Sequence, residues 1–500
     1  MTATPIIPVR AALTTERLDQ LVPDVVARSL APYVESQRWY GDKSRTLLRI
    51  DPVAHLVVPE EGEFLVLLGV ECAFADGARV EYFVPLAVVR SRPNDAVAIA
   101  EIRAPGIRWT VTDAVQTPAF RHWLLEELGR AKTDSTEGFR WTATSAAADV
   151  LSAAMLAESR VSSAQQSNSS IVYGSAVILK VFRRLSAGVN PEVELGRFLT
   201  TRTAFRNTPL LLGEWSYLGA ADGPRSLAVA QSFVANVGDG WSHVLRSLRS
   251  PATAGDEDAR RLGQLTARLH LALESARTDP SLSPEPIRPE DAEAWAGAVA
   301  QAVTATSGAL RLIAARETGE TRDLVDAYLD LAPRLSARAA GFERLVGRSK
   351  TRVHGDYHLG QTLRTVDGDF VILDFEGEPQ RPIEERRAKT SPLKDVAGML
   401  RSFGYARGAA ERESGDGNRP FETGRASLIA WERAARRAFV DSYVAESRRS
   451  GAGYLPASDD DIRLALDAWE LDKALYEVNY ELNNRPDWLA LPLAATLKLT

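Results

Sequence analysis

Between Val353 and Pro379 the chain reads VHGDYHLGQTLRTVDGDFVILDFEGEP, which gathers His354, Asp356, His358, Gln361, Asp374 and Glu376 in one short stretch. His354 and Asp356 precede a polar loop ending at Gln361. After the turn Val366-Asp367-Gly368, the apolar strand FVIL delivers Asp374 just beyond its end. Two carboxylates thus arrive from two strand-adjacent loops, which suits phosphoryl transfer. One aspartate orients the attacking hydroxyl and accepts its proton, the other holds Mg²⁺, and the Gln361 amide completes the metal shell. His354, Asp356 and His358 are also metal-ligand types, so a histidine-rich metallohydrolase is the competing reading, and a degenerate nucleotide-binding or scaffold protein a third.

The elements upstream weigh against hydrolysis. IVYGSAVILKVF reads as two β-strands joined at Tyr173-Gly174-Ser175, which places Lys180 inside an apolar strand, facing either solvent or a ligand. NPEVELGRFL follows as a helix with Asn190 as N-cap and Pro191 in the first turn, so Glu192 or Glu194 could face back toward the sheet. A strand lysine followed by a helix glutamate is the arrangement that holds nucleotide phosphates in kinases. LAVAQSFVANVGDGW then gives a strand running into a Gly/Asp-rich break.

The chain as a whole has 500 residues, 45% of them hydrophobic, enough for several structural units. Sixty basic and sixty-six acidic side chains give a net charge of −6, which argues against a nucleic-acid or anionic-membrane binder. The N-terminal stretch lacks a basic segment leading into an apolar one, and no apolar run approaches the ~18 residues that span a bilayer, so a cytoplasmic location is expected. The single cysteine, Cys72, lies in a strand-like context and reads as an inert buried thiol. Pattern divides the chain into an α+β cap (1–113) with a helix over Leu18–Val34, a β-rich part (114–235) and a mostly helical part (236–500). Trp39 and Tyr40 read as packing anchors, and His270 as a core or capping histidine. On the last long helix Trp469, Lys473, Tyr476 and Tyr480 share one face and Glu470, Glu477 and Glu481 another. Spacing alone favours an aromatic core stripe and a solvated acidic one.

HGDYHLGQ followed by ILDFEGEP resembles the catalytic and metal loops of the aminoglycoside-phosphotransferase-like kinases, and more narrowly those of bacterial maltokinases. SQRWY, AQQSNSSIVYGSAVILKVFRRLSAGVNPEVEL, DFEGEPQRPIEERRAKTSPLKDVAGMLRSF and WELDKALYEVNYELNNRPDWLALPL extend that resemblance in the same order. It implies a protein-kinase-like bilobal α+β fold with an N-terminal cap, ATP and Mg²⁺ as cofactors, and phosphorylation of maltose to maltose 1-phosphate, linked functionally to a trehalose synthase in making α-glucan. By residue it implies Asp356 as catalytic base, Gln361 and Asp374 on magnesium, and Lys180 with Glu194 (preferred to Glu192) on the phosphates. Ser167, Asn168, Ser169 and Ser170 would cover the phosphates, with Gln231, Phe233 and Val234 completing the nucleotide site and His354 supporting the loop. His358, Glu376, Lys473, Tyr476, Glu477 and Tyr480 would line the sugar site. Gln361 stands where protein kinases have asparagine, DFE replaces DFG, and QQSNSS has no glycine-rich GxGxxG pattern. An aminosugar or aminoglycoside, which would favour carboxylates without the lysine, is the alternative acceptor.

Overall fold

The computed structural model describes residues 4–90, 96–131, 138–162, 167–249, 256–379, 381–415 and 424–498. The chain folds into two compact units, Met1–Thr201 with Pro209–Val234, and Arg202–Thr208 with Ala235–Thr500.

The first unit contains two sheets. In the cap, Thr14 caps the helix Thr15–Val25, whose Leu18, Val22 and Val25 are buried at helical spacing. The expected helix over Leu18–Val34 is present with a modification. A π-helical segment, Val26–Leu30, joins Thr15–Val25 to Ala31–Ser36. Pro32 brings no N–H to the Arg28 carbonyl and its ring crowds that carbonyl, which accounts for the wider turn. The strand Glu63–Phe74 reads as an unbroken apolar run because both of its faces are covered. Leu65 and Leu67 enter one core, and Val66, Leu68, Val70 and Cys72 the other. Trp39 and Tyr40 are buried in the cap core. Burial, with Asp42 and Glu35 adding to it, pushes the Cys72 thiol up to about 12, which leaves it unreactive.

The second sheet runs in the order Phe139–Ala143, Leu211–Tyr217, Arg225–Ser232, Val177–Val181, Ser169–Tyr173, Ser159–Val161, with every pairing antiparallel. Immediately after the lysine strand, Arg184 and Leu185 pair with Tyr82 and Glu81 of the cap sheet, so the two sheets are joined by continuous chain.

The second unit is mostly helical. Its long helices include Asp256–Glu274, Pro289–Ala314, Leu393–Gly415, Arg425–Arg449 and Asp459–Asn484, beside a three-stranded sheet of Asn236–Asp239, Thr362–Thr365 and Phe370–Ile372. The α+β cap and helical C-terminal part are therefore as expected. Among the described residues, no helix is long and apolar enough to cross a membrane.

Candidate active site

In the helical unit the site is built on a loop with almost no freedom. At Gly398 the helix Leu393–Gly415 comes so close that a Cβ there would lie 2.6 Å from the Tyr357 carbonyl oxygen, so the loop rests on a residue with no side chain. Asp395, one turn earlier, accepts the backbone N–H groups of His354 (2.8 Å) and Gly355 (2.9 Å). It also meets His270 Nε2 at 3.0 Å, and His270 Nδ1 meets the Tyr443 hydroxyl at 2.9 Å. Burial pushes the Asp395 carboxyl up, but the hydrogen bond and charge of His270, with His354 and the Gly355 N–H, hold it below the usual carboxylate range. His270 is thus a core histidine, as its helical position implies, and one that fixes the carboxylate anchoring the loop.

His354 is buried, its Nε2 lies 2.7 Å from the Leu373 carbonyl, and its Nδ1 accepts the Asp356 N–H at 3.3 Å. The partners assign the tautomer, with the proton on Nε2. Both ring nitrogens are committed to backbone, which removes His354 as a zinc ligand and with it the metallohydrolase reading. His358 accepts the Gly360 N–H through Nδ1 (3.0 Å), and its Nε2 lies 3.9 Å from Asp356. Burial lowers the His358 pKa, with Lys473 and His354 working in the same direction, so the ring is neutral at pH 7.

Asp356 Oδ1 accepts from Lys473 Nζ at 2.9 Å, and the same ammonium donates to Glu378 Oε1 at 2.7 Å. Burial would lower the Lys473 pKa, but Asp356, Glu378 and Glu477 drive it well above its ordinary value, so it is a fixed cation. Burial likewise raises the Glu378 carboxyl, and Lys473, Lys394 and Arg381 bring it down to about 2. Arg381 also donates to Glu378. Lys473 Nζ sits 4.7 Å from the Tyr476 ring centroid, and Tyr476 and Tyr480 stack at 6.5 Å.

Asp374 has φ 62°, the left-handed region that non-glycine residues rarely adopt, and receives Gln361 Nε2 at 3.2 Å. The strand that delivers it is held from the side. Ile372 N donates to the Asn207 carbonyl, Asn207 Nδ2 donates to Phe370 O, and Arg261 grips Asp369 through two 2.6 Å hydrogen bonds. Glu376 receives Arg386 at its backbone carbonyl.

The acidic stripe differs from expectation. Glu470, Glu477 and Glu481 are paired with Arg436, Arg401 and Arg485, and none is a simple solvated charge. Trp469 packs with Trp295 and Phe342 and belongs to the core.

In the first unit Lys180 Nζ pairs with Glu192 Oε2 at 2.9 Å, and Gln231 Nε2 donates to Glu192 Oε1 at 3.3 Å. The expectation of Glu194 is corrected. The Asn190 side chain accepts the Glu192 N–H at 2.8 Å and sets the first turn, and residues two apart on a helix point to opposite sides, so it is Glu192 that turns toward the lysine. Ser170 lies opposite Lys180 in the strand register, Ser169 Oγ and Asn168 Oδ1 receive Arg183, and Ser167 is exposed. Phe233 N donates to Ala176 O at 2.9 Å, and Val234 ends the unit.

Glu192→Ala is therefore expected to weaken nucleotide binding about tenfold or more and Glu194→Ala much less, which calorimetric titration with a nucleotide would read. A second expectation concerns Glu378. Its carboxyl drops from an ordinary 4.5 to about 2, so its share of stability is full above pH 4.5 and fades as pH falls toward 2. Denaturant titrations should show wild type exceeding Glu378→Gln by roughly 3 kcal/mol at pH 6, with the gap closing through that acid window.

Sequence reasoning missed Glu378, Arg381 and Asp395 as site residues. Glu378 stands two residues past Glu376 and carried a readable signal as a second carboxylate in DFEGEP. Asp395 carried none, because its partners are backbone groups forty residues earlier.

The description "Phosphotransferase enzyme family" matches residues 175–428, and "Maltokinase N-terminal cap domain" matches residues 33–116. The chain is similar to a glucosamine kinase of Streptacidiphilus jiangxiensis, 29% identical over 65% of this chain and 70% of that one. It is also similar to a glucosamine kinase of Mycolicibacterium smegmatis, 29% identical over 66% and 76%. A solved glucosamine kinase in complex with glucosamine, ADP and inorganic phosphate aligns over 96% of this chain and 99% of that one, with TM-score 0.66 and 23% identity, and a second crystal form has TM-score 0.68. These findings bear out the kinase-like fold and correct the narrower expectation. The relatives are glucosamine kinases, so the maltokinase assignment, maltose as acceptor and the trehalose and glycogen connection are withdrawn. With the family description covering half of its length, the chain belongs to the phosphotransferase enzyme family.

Proposed function

We propose that this chain is an ATP-dependent sugar kinase that phosphorylates an aminosugar of the glucosamine class. Asp356 accepts the proton of the acceptor hydroxyl as that oxygen forms its bond to the γ-phosphorus, and the bond from phosphorus to the β–γ bridging oxygen breaks to release ADP. Lys180, held by Glu192, carries the positive charge that meets the phosphates, and Ser167 to Ser170 supply hydroxyl and amide donors. Gln231, Phe233 and Val234 complete the nucleotide site. The Asp374 carboxylate and Gln361 amide are hard oxygen donors of the kind Mg²⁺ takes. When bound, Mg²⁺ would neutralise phosphate charge.

His358, Glu376, Glu378, Lys473, Tyr476, Glu477 and Tyr480 form the acceptor set. The observation that carries the reading is the pairing of Lys473 with both Asp356 and Glu378 in a chain whose relatives are glucosamine kinases. A lysine facing the acceptor would repel an amine if its charge were free. Here two carboxylates share it, with Arg381 also on Glu378, so the four groups balance and Lys473 presents no unshared charge to an incoming ammonium.

Rates with Mg²⁺-ATP and glucosamine, N-acetylglucosamine and glucose test this. Glucosamine should exceed the others in kcat/KM by about 10–100-fold, the worth of one charge-assisted hydrogen bond. Equal or better use of glucose would contradict the aminosugar reading.

A further inference from the structure

Arg183 follows the lysine strand by two residues, yet most of its partners lie in the cap. Its side chain is 1% exposed and pairs through Nη2 with Asp113 at 2.7 Å, itself 3% exposed. Asp113 also accepts the Tyr33 hydroxyl at 2.8 Å, and its other oxygen accepts the Val115 N–H at 3.0 Å. The Arg183 guanidinium lies 4.9 Å from the Trp39 ring centroid, and its carbonyl accepts the Phe83 N–H at 2.7 Å. On its other side Nε donates to Ser169 Oγ at 2.8 Å, and the backbone N–H reaches Asn168 Oδ1 at 3.4 Å. Nη1 is buried with no acceptor among the described residues.

One planar group thus ties the serine-rich segment Ser167–Ser170, which has no glycine-rich loop to shape it, to a carboxylate and an aromatic ring of the cap. A guanidinium can do this because its donors diverge in a fixed plane, whereas an ammonium is a single point. Burial matters too. A charge pair this far from water holds its geometry only while both members are present, so the orientation of the Ser169 hydroxyl depends on Asp113, fifty-six residues away in sequence.

We infer that Arg183 is a positioning residue for the nucleotide, through which the cap sets the shape of the Ser167–Ser170 segment. Losing the cap side of this junction would free Ser167, Asn168 and the Ser169 hydroxyl, while the strand register keeps Ser170 opposite Lys180 and Glu192 and the acceptor residues stay in place. The cap would then act as a determinant of nucleotide affinity. The inference rests on the phosphotransferase reading of that segment and on no particular acceptor.

The test is titration of the full chain with Mg²⁺-ADP by calorimetry, without any sugar, and steady-state kinetics with the best acceptor found. Asp113→Asn removes the carboxylate's charge and keeps an oxygen for the Val115 N–H, while an amide nitrogen replaces the oxygen that Tyr33 and Arg183 share. It should weaken Mg²⁺-ADP binding and raise the KM for ATP about tenfold, with kcat and acceptor KM within twofold. Arg183→Lys keeps the charge but loses the donor to Ser169, and should give the same split. Should Asp113→Asn not fold, Tyr33→Phe loosens Asp113 more gently and should give a smaller shift in the same direction. Unchanged nucleotide affinity would overturn the inference, as would an equal loss for both substrates accompanied by a lower melting temperature, the mark of a purely structural role. Failure of the wild type to bind Mg²⁺-ADP would instead overturn the phosphotransferase reading beneath it.

Discussion

Replacing Asp356 by asparagine is expected to lower turnover by roughly 10²–10⁴-fold with nucleotide affinity nearly unchanged. The asparagine amide can keep one hydrogen bond to Lys473 but cannot accept a proton, so the variant separates orientation from base catalysis. The loop around it is fixed independently, since His354 and Gly355 are held by Asp395 and Tyr357 lies against Gly398. The substitution should therefore leave fold and melting temperature close to wild type. Retained turnover would remove Asp356 from the mechanism and direct attention to His358, whose Nε2 lies 3.9 Å away.

Replacing Lys473 by methionine should have the largest effect on stability, about 3–5 kcal/mol, because it leaves the buried Glu378 with Arg381 alone and the partly buried Asp356 without that cation. Turnover should fall too. The double variant Lys473→Met with Glu378→Gln removes one of the stranded charges and should recover part of the stability, a coupling that a double-mutant cycle reads directly. Loss of less than about 1 kcal/mol for the single variant would mean the three groups act as an exposed pair does.

The candidate site was legible from sequence where its residues are neighbours along the chain. HGDYHLGQ and ILDFEGEP put Asp356, Gln361 and Asp374 within one short stretch, and the strand pattern of IVYGSAVILKVF placed Lys180 correctly. What the sequence hid was mostly partnership at a distance. Asp395 and His270 secure the catalytic loop from two different helices, and nothing in their local patterns marks that role. The choice between Glu192 and Glu194 turned on the phase of one helical turn, which Asn190 sets through a side-chain hydrogen bond. The acidic stripe of the last helix read as solvated because its arginine partners, Arg401 and Arg436, come from other helices. The acceptor was the least legible feature. The phosphoryl-transfer motifs are indifferent to it, and the groups that would recognise it are shared with the pairing of Lys473.

The most direct measurement of the central claim is transfer of label from γ-phosphorus-labelled ATP to glucosamine in a single turnover with Mg²⁺, with the product separated and identified. Wild type should place the label on the aminosugar, and Asp356→Asn should slow that transfer while still binding ATP. Label appearing only as inorganic phosphate, or moving to glucose as readily as to glucosamine, would contradict the account.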